Sequence, residues 1–186
     1  MATTGTKLMT AEELLAMPEI HCRYELIRGR VIERQFGGAR EGIASSRIFL
    51  NLAVYAEQRD LGMVLTGRAG YQIEFAPDHI RAPSIAFIKR ERLGLVERDY
   101  QGYFPAAPDI VIENATISDT YQYMDNKVQD WLTAGAGMVI VVNADNKSVM
   151  VHHSLKQADR LTQGDTLDGG DVLPGWSMPV ADIFGK

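Results

Sequence analysis

The most informative stretch of the chain is Pro108-Asp109-Ile110-Val111-Ile112-Glu113, which the residue pattern predicts to be a buried β-strand. Its apolar residues are all β-branched, which is typical of a strand covered on both faces. Glu113 ends the stretch, and Lys127 follows it fourteen residues later on a helical pattern. A carboxylate on a strand and a lysine returned by the next helix are half of a metal-dependent phosphodiesterase site. The stretch therefore indicates both a sheet-and-helix fold and phosphate chemistry.

Lys127 borders the buried face of its predicted helix, because Val128, Trp131 and Leu132 mark the apolar stripe. In a hydrolytic site its ammonium would stabilise charge that develops on a phosphate or orient the attacking water. Two structural interpretations without a catalytic role stay open. In the first, Glu113 and Lys127 form an ordinary ion pair near the sheet edge. In the second, the lysine packs its aliphatic stem on the sheet and keeps its ammonium in water.

The order of predicted elements favours an α/β or α+β fold with a mixed sheet and helices packed on it. A hairpin is followed by a long helix, two strand regions, a further strand, a helix and a last apolar strand. These lie at about 23–33, 43–59, 63–75, 84–88, 109–113, 119–132 and 138–142. We expect a turn at 77–79 and a helix cap at Ser118 or Asp119. Because no repeat or linker interrupts the pattern, we expect residues 1–186 to form a single domain.

The composition fits a folded protein of the cytoplasm. Hydrophobic residues make up 46% of the chain, and no apolar run approaches the roughly 18 residues that a membrane helix needs. The single cysteine, Cys22, excludes an internal disulfide and fits a reducing compartment, and the N-terminus has no secretory signal pattern. The formal net charge of −5 argues mildly against binding of nucleic acid, because proteins that bind it usually present a basic surface.

Two further acids are candidates for the same site. Glu25 lies in a predicted strand and is either an additional carboxylate near the site or a solvated strand residue. Glu41, near the start of the long helix, has the same two interpretations, although acids are also favoured in first turns by the helix dipole. Neighbouring strand residues such as His152 and His153 point to opposite faces, so this pair cannot chelate a metal as a unit.

Six blocks of the sequence form an ordered set that extends over most of the chain. The blocks are 9–14, 23–29, 81–87, 107–113, 127–135 and 170–175. In this order they resemble the Uma-two family, a group of restriction endonucleases in the PD-(D/E)xK nuclease superfamily. The resemblance extends from about Met9 to Phe184, and six ordered blocks are much more specific than any one of them.

The resemblance implies a restriction-endonuclease-like fold, a mixed central β-sheet flanked by α-helices. It also implies that a divalent ion, magnesium or manganese, is held by an aspartate and a glutamate from adjacent strands, and that DNA is the substrate. Carried over by position, Glu113 matches the glutamate and Lys127 matches the lysine, which in this family lies on the next helix. Glu25 matches an upstream acid. The position of the metal-binding aspartate is taken by Ser84.

The serine decides how much activity to expect. A neutral hydroxyl is a poor ligand, so we expect magnesium binding to be weakened or lost, since such sites rely on one or two carboxylates. Asp78, six residues before Ser84, is a weak candidate to replace the missing ligand. The expected function is a Mg²⁺-dependent endonuclease impaired by Ser84. The alternative is a catalytically inactive binding or assembly module. Exposed strands and the apolar tail allow a homodimer without requiring one.

Overall fold

The helices and strands are described from a computed structural model that covers residues 7–18, 23–34, 37–67, 69–97 and 99–185, so Cys22 lies outside the description. The helices are α1 (Ala11–Leu15), α2 (Ala39–Gln58), α3 (Tyr121–Thr133) and α4 (Val180–Phe184), with a 3-10 helix at Arg90–Leu95. The strands are β1 (Arg23–Ile27), β2 (Arg30–Arg34), β3 (Gly62–Thr66), β4 (Tyr71–Phe75), β5 (Asp78–Arg81), β6 (Ile85–Lys89), β7 (Ile110–Ala115), β8 (Met138–Asn143), β9 (Ser148–Ser154), β10 (Gln157–Leu161), β11 (Thr166–Asp168) and β12 (Ser177–Pro179).

A six-stranded mixed sheet lies at the centre, with the strand order β10-β9-β8-β7-β6-β3. β7 and β8 run parallel, with Ile110 opposite Met138 and Glu113 opposite Val141, and the other neighbours are antiparallel. A parallel pair needs a crossover connection, which here contains α3. The prediction of a mixed central sheet flanked by helices is confirmed, and the most informative stretch of the sequence lies in its interior.

The two-residue period of β7 divides its side chains between two helical layers. Ile110 and Ile112 pack in the hydrophobic cluster that includes residues of α2 and α4. Val111 packs with Trp131 of α3 on the opposite face. Glu113 lies on the same face as Val111, so the sheet places an acid beneath α3 among buried apolar side chains.

α2 is an amphipathic helix of 20 residues. Its buried positions recur every four residues and pack with the six-stranded sheet: Ala44, Ile48, Leu52 and Ala56. The other side of the helix faces solvent. In the ranges that the structure describes, no helix is both long enough and apolar enough to cross a membrane.

A second, four-stranded sheet with the order β2-β1-β5-β4 was not predicted. The turn expected at 77–79 covers only Ala76 and Pro77, and Asp78 already begins β5. His79 and Ile80 are buried and pair with β4 and β1, so tertiary pairing outweighs the local turn preference. The strand region expected at 63–75 also divides, because β3 joins the six-stranded sheet and β4 joins this one.

α3 begins slightly later than the sequence indicated. Its N-cap is Thr120, whose hydroxyl accepts a hydrogen bond from the backbone N of Tyr123 at 3.2 Å. Asp119 instead accepts hydrogen bonds from the backbone N and the hydroxyl of Thr116, so the prediction of Ser118 or Asp119 as the cap is wrong. The end of the helix lies within one residue of the predicted one, and Lys127 is therefore in its middle.

The packing of α2 on the sheet predicts that replacing a buried leucine lowers the free energy of unfolding much more than replacing an exposed one. Leu52 is fully buried, whereas Leu155 in the β9–β10 turn is 63% exposed. We expect Leu52→Ala to lower the free energy of unfolding by about 2–5 kcal/mol, because it leaves a cavity. The matched change Leu155→Ala should stay within about 0.5 kcal/mol of wild type. Urea denaturation measures both, and similar losses in the two variants would contradict the described packing.

Candidate functional site

A cleft of about 420 Å³ brings together five side chains that the sequence singled out. Glu25 comes from β1, Ser84 from the residue before β6, Glu113 from β7 and Lys127 from α3. The first half of α2 contributes another wall, which includes Glu41. The remaining lining residues are Arg34, Gly37, Gly38, Gly42, Ser45, Ser46, Phe49, Thr66, Gly67, Ala82, Ile85, Asn114 and Thr116.

The ammonium of Lys127 lies between two carboxylates. Its Nζ is 2.9 Å from Glu113 Oε2 and 3.1 Å from Glu25 Oε1, and the residue is only 3% exposed. The interpretation in which the ammonium stays in water is therefore wrong, whereas the ion pair is present but buried. Burial alone would lower the pKa of Lys127, but the two glutamates outweigh it and raise that pKa, so the lysine is protonated.

Both carboxylate oxygens of Glu113 accept hydrogen bonds inside the protein. Oε2 accepts from Lys127 Nζ, and Oε1 accepts from Trp131 Nε1 at 2.9 Å. Burial raises the pKa of Glu113 above its usual range, although the neighbouring lysine opposes this effect. Because both donors belong to α3, that helix fixes the orientation of the acid.

Glu25 is a second buried acid with several partners. Its Oε2 accepts from Arg81 Nη1 at 2.8 Å and from the Tyr123 hydroxyl at 3.2 Å, and Oε1 accepts from the backbone N of Ala82 at 3.2 Å. Burial alone would raise the pKa of Glu25, but Lys127 and Arg81 together lower it to about 2. Glu25 is therefore ionised, and its interpretation as a solvated strand residue is wrong.

Arg81 and Asp130 extend the network, and sequence reasoning missed both. Arg81 is 1% exposed. Its Nε donates to Asp130 Oδ2 at 3.1 Å, and its Nη2 also contacts that oxygen. Asp130 lies three residues after Lys127, hence on the same side of α3, and this spacing could have identified it. Arg81 reaches Glu25 because β5 pairs with β1, and no local sequence pattern around residue 81 indicates this pairing. The sequence therefore offered no comparable way to identify the arginine.

Ser84 lies beside Glu113 across the β6–β7 pair. These strands are antiparallel and pair Ile85 with Ile112, so the residue before Ile85 is opposite the residue after Ile112. The hydroxyl of Ser84 accepts a hydrogen bond from the backbone N of Asn114 at 3.4 Å. A neutral side chain therefore occupies the position next to Glu113 that the family resemblance gave to an aspartate.

Asp78 does not replace the missing acid. It does not line the cleft, and its two carboxylate oxygens accept from the backbone N of Ala11 at 2.7 Å and from Gln72 Nε2 at 3.0 Å. The weak prediction that Asp78 serves as a metal ligand is therefore not supported. Asp78 lies at the start of β5, away from the cleft, whereas Arg81 at the end of the same strand reaches the site. Asp109 also lies elsewhere and accepts from the backbone N of Lys89 at 2.9 Å.

The donor set in the cleft does not fit a magnesium ion. Magnesium requires a near-octahedral set of oxygen ligands, usually with one or two carboxylates. Here the oxygens of Glu113 are already bonded to Lys127 and Trp131, and Ser84 provides only a hydroxyl. Across the described residues, no group of three or more His, Cys, Asp or Glu side chains is arranged to hold a metal ion. The cation bound between the two glutamates is the lysine ammonium.

Two comparisons with known proteins find similarity over most of the chain. The Uma2 (Uma-two) family, described as "Putative restriction endonuclease", matches residues 11–181. A crystal structure at 1.96 Å resolution of "a putative nuclease belonging to DUF820" from Anabaena variabilis has a TM-score of 0.80 and 17% sequence identity, over 95% of this chain and 97% of that one. At this identity the likeness shows a shared fold. No curated protein matches the chain in sequence.

Replacing Glu25 by glutamine tests the charge network through its pH dependence. The folded-state pKa of Glu25 is about 2, below its ordinary 4.5, so its ionised form stabilises the fold above pH 4.5 and this contribution is lost as the pH falls toward 2. We expect Glu25→Gln to lower the free energy of unfolding at neutral pH by about 3 kcal/mol, because the cations lose a buried partner. The acid-dependent loss of stability over that same window should become shallower.

Urea unfolding at a series of pH values measures both effects. The exposed Glu91 of the 3-10 helix provides a matched control, Glu91→Gln, which should follow the wild-type profile. If the two variants had the same pH profile, Glu25 would not be part of a stabilising network.

Proposed function

Because the chain belongs to the Uma-two family, whose description is "Putative restriction endonuclease", we propose that its cleft is a nuclease site acting on the phosphodiester bonds of DNA. We propose further that hydrolysis is weak in this chain, because Ser84 stands in place of a metal-binding aspartate. DNA is the partner in this proposal, and the cytoplasm is the compartment.

The convergence of Ser84, Glu113 and Lys127 on one cleft carries the proposal. An unrelated function would not require the family's aspartate position, a strand acid and a helix lysine to meet at one place. Asn114 and Ser45, which are joined by a hydrogen bond of 2.7 Å, line the cleft on the α2 side and add uncharged polar groups. Such groups suit hydrogen bonds to the phosphates and sugars of DNA. Contacts of this kind position the nucleic acid but do not read its base sequence.

The charge balance at the cleft supports weak hydrolysis. The charged side chains that line the cleft have a net charge of −1 (two positive minus three negative) when all are ionised. They are the cations Arg34 and Lys127 and the acids Glu25, Glu41 and Glu113. A phosphodiester that approaches the cleft meets this negative balance, and Lys127 is held by two glutamates rather than directed at a substrate oxygen. The residues of this chain can position a substrate, but by themselves they offer little stabilisation of developing negative charge.

A catalytically inactive binding or assembly module is the second candidate. The observation that favours it is that both oxygens of Glu113 already accept hydrogen bonds, from Lys127 and from Trp131. A buried ion network must stay fully paired to avoid a large penalty, so it can persist for structural reasons after catalysis is lost. The two candidates differ in what a restored acid at position 84 would do.

The substitution Ser84→Asp separates them. The new carboxylate would lie beside Glu113 and would supply a second acidic ligand for a divalent cation. We expect Ser84→Asp to bind Mn²⁺ at least about tenfold more tightly than wild type in isothermal titration calorimetry. The same variant should nick supercoiled plasmid in the presence of Mg²⁺ or Mn²⁺, and wild type should do so weakly or not at all.

Two controls make the result specific. Ser177→Asp introduces the same acid at an exposed position of β12 and should leave Mn²⁺ affinity unchanged. Adding Glu113→Gln to Ser84→Asp should remove the gain. Absence of any gain in Ser84→Asp would contradict the assignment of the cleft, and a gain in Mn²⁺ binding without nicking would favour the binding module.

A further inference from the structure

The outward face of α2 carries an apolar strip that the described part of the fold leaves uncovered. Ile43, Leu50 and Val54 are 51%, 64% and 43% exposed. They are spaced by seven and four residues, so at 3.6 residues per turn they lie along one line of the helix surface. Arg47 and Glu57 fall on the same line and are exposed. The buried residues of α2 lie on the opposite side, so this strip does not serve the core.

The strip is complementary to the same strip of a second copy that runs in the opposite direction. Leu50 and Val54 are equally distant from position 52, and so are Arg47 and Glu57. In an antiparallel pair of α2 helices with a two-fold axis at this position, Leu50 meets Val54 of the partner subunit. Arg47 then meets Glu57 of the partner subunit, and symmetry repeats both contacts. One arrangement therefore pairs apolar with apolar and positive with negative.

We propose that the part of this strip formed by Arg47, Leu50, Val54 and Glu57 is a homodimer interface in which two copies of α2 pack antiparallel. The self-complementary charges favour a second copy of the chain over other occupants. An anionic membrane or DNA would meet Glu57 and a chain of net charge −5. Arg47 contacts a backbone carbonyl, that of Asp182, at 3.5 Å, which leaves its charge available to a partner.

The size of the strip sets the expected strength of the dimer. One helix pair buries less than the roughly 1,000 Å² of a typical stable interface. The dimer is therefore weak and depends on concentration, and salt weakens it further because its ion pairs are at the surface.

The same helix connects the strip to the cleft. Glu41, Ser45 and Phe49 line the cleft from the other side of α2. A dimer through α2 would hold two clefts in a fixed two-fold arrangement. The proposal does not depend on whether either cleft is catalytic, since it rests on the outer face of the helix alone.

Sedimentation velocity over a wide range of protein concentration at low ionic strength tests the interface. Wild type should shift from monomer to dimer as concentration rises, and Leu50→Asp should remain a monomer. Arg47→Glu and Glu57→Arg should each lower the association constant about tenfold or more, because like charges then face each other. The combined variant Arg47→Glu/Glu57→Arg restores both opposite-charge pairs and should associate nearly as well as wild type.

Ile117→Asp is the matched control, because Ile117 is 95% exposed between β7 and α3, and it should dimerise like wild type. Circular dichroism establishes that every variant is folded. A wild type that stays monomeric at all concentrations, or a dimer that survives Leu50→Asp, would overturn the proposal. A combined charge reversal that associates no better than the single variants would overturn the antiparallel arrangement.

Discussion

A single lysine ammonium held between two buried carboxylates organises this molecule's cleft. Lys127 Nζ lies 2.9 Å from Glu113 and 3.1 Å from Glu25, and none of the three residues is more than 3% exposed. Unpaired, each buried ion would cost several kcal/mol. Further donors from Trp131 and Arg81 occupy the remaining carboxylate oxygens. The members of the network therefore constrain one another, because removing any one of the charges takes a buried partner from its neighbours.

The fold supplies these groups from separate layers. The central sheet presents Glu113 toward α3, and α3 returns the lysine to the same place. The second sheet adds Glu25 from β1 and Arg81 from β5. The ion network is thus also the polar contact between the two sheets and the helix. A change that disturbs the cleft is expected to disturb the packing of these layers, so stability and any activity are linked in this chain.

Local patterns of sequence were enough to predict the central sheet, the crossover helix and the pair of Glu113 and Lys127. The period of two in β7 and the apolar stripe of α3 are visible without knowledge of distant contacts. The four-stranded sheet was not predictable in the same way, because Asp78 and His79, which the sequence favoured as part of a turn, lie in β5 and pair with β4. Arg81 was missed for that reason. Burial of the lysine was also missed, since the amphipathic pattern alone does not distinguish a buried ammonium from a solvated one.

Position 84 has no acid, and a lysine lies between the two glutamates. The cation that balances these carboxylates therefore belongs to the chain itself, and a divalent ion would have to compete with it. A crystal structure of the wild-type protein grown with excess Mn²⁺, with anomalous differences measured for the metal, tests this most directly. The expected map has no manganese peak beside Glu113 and shows the lysine ammonium in contact with both acids. A manganese peak bound by Glu113, with Lys127 displaced, would contradict it.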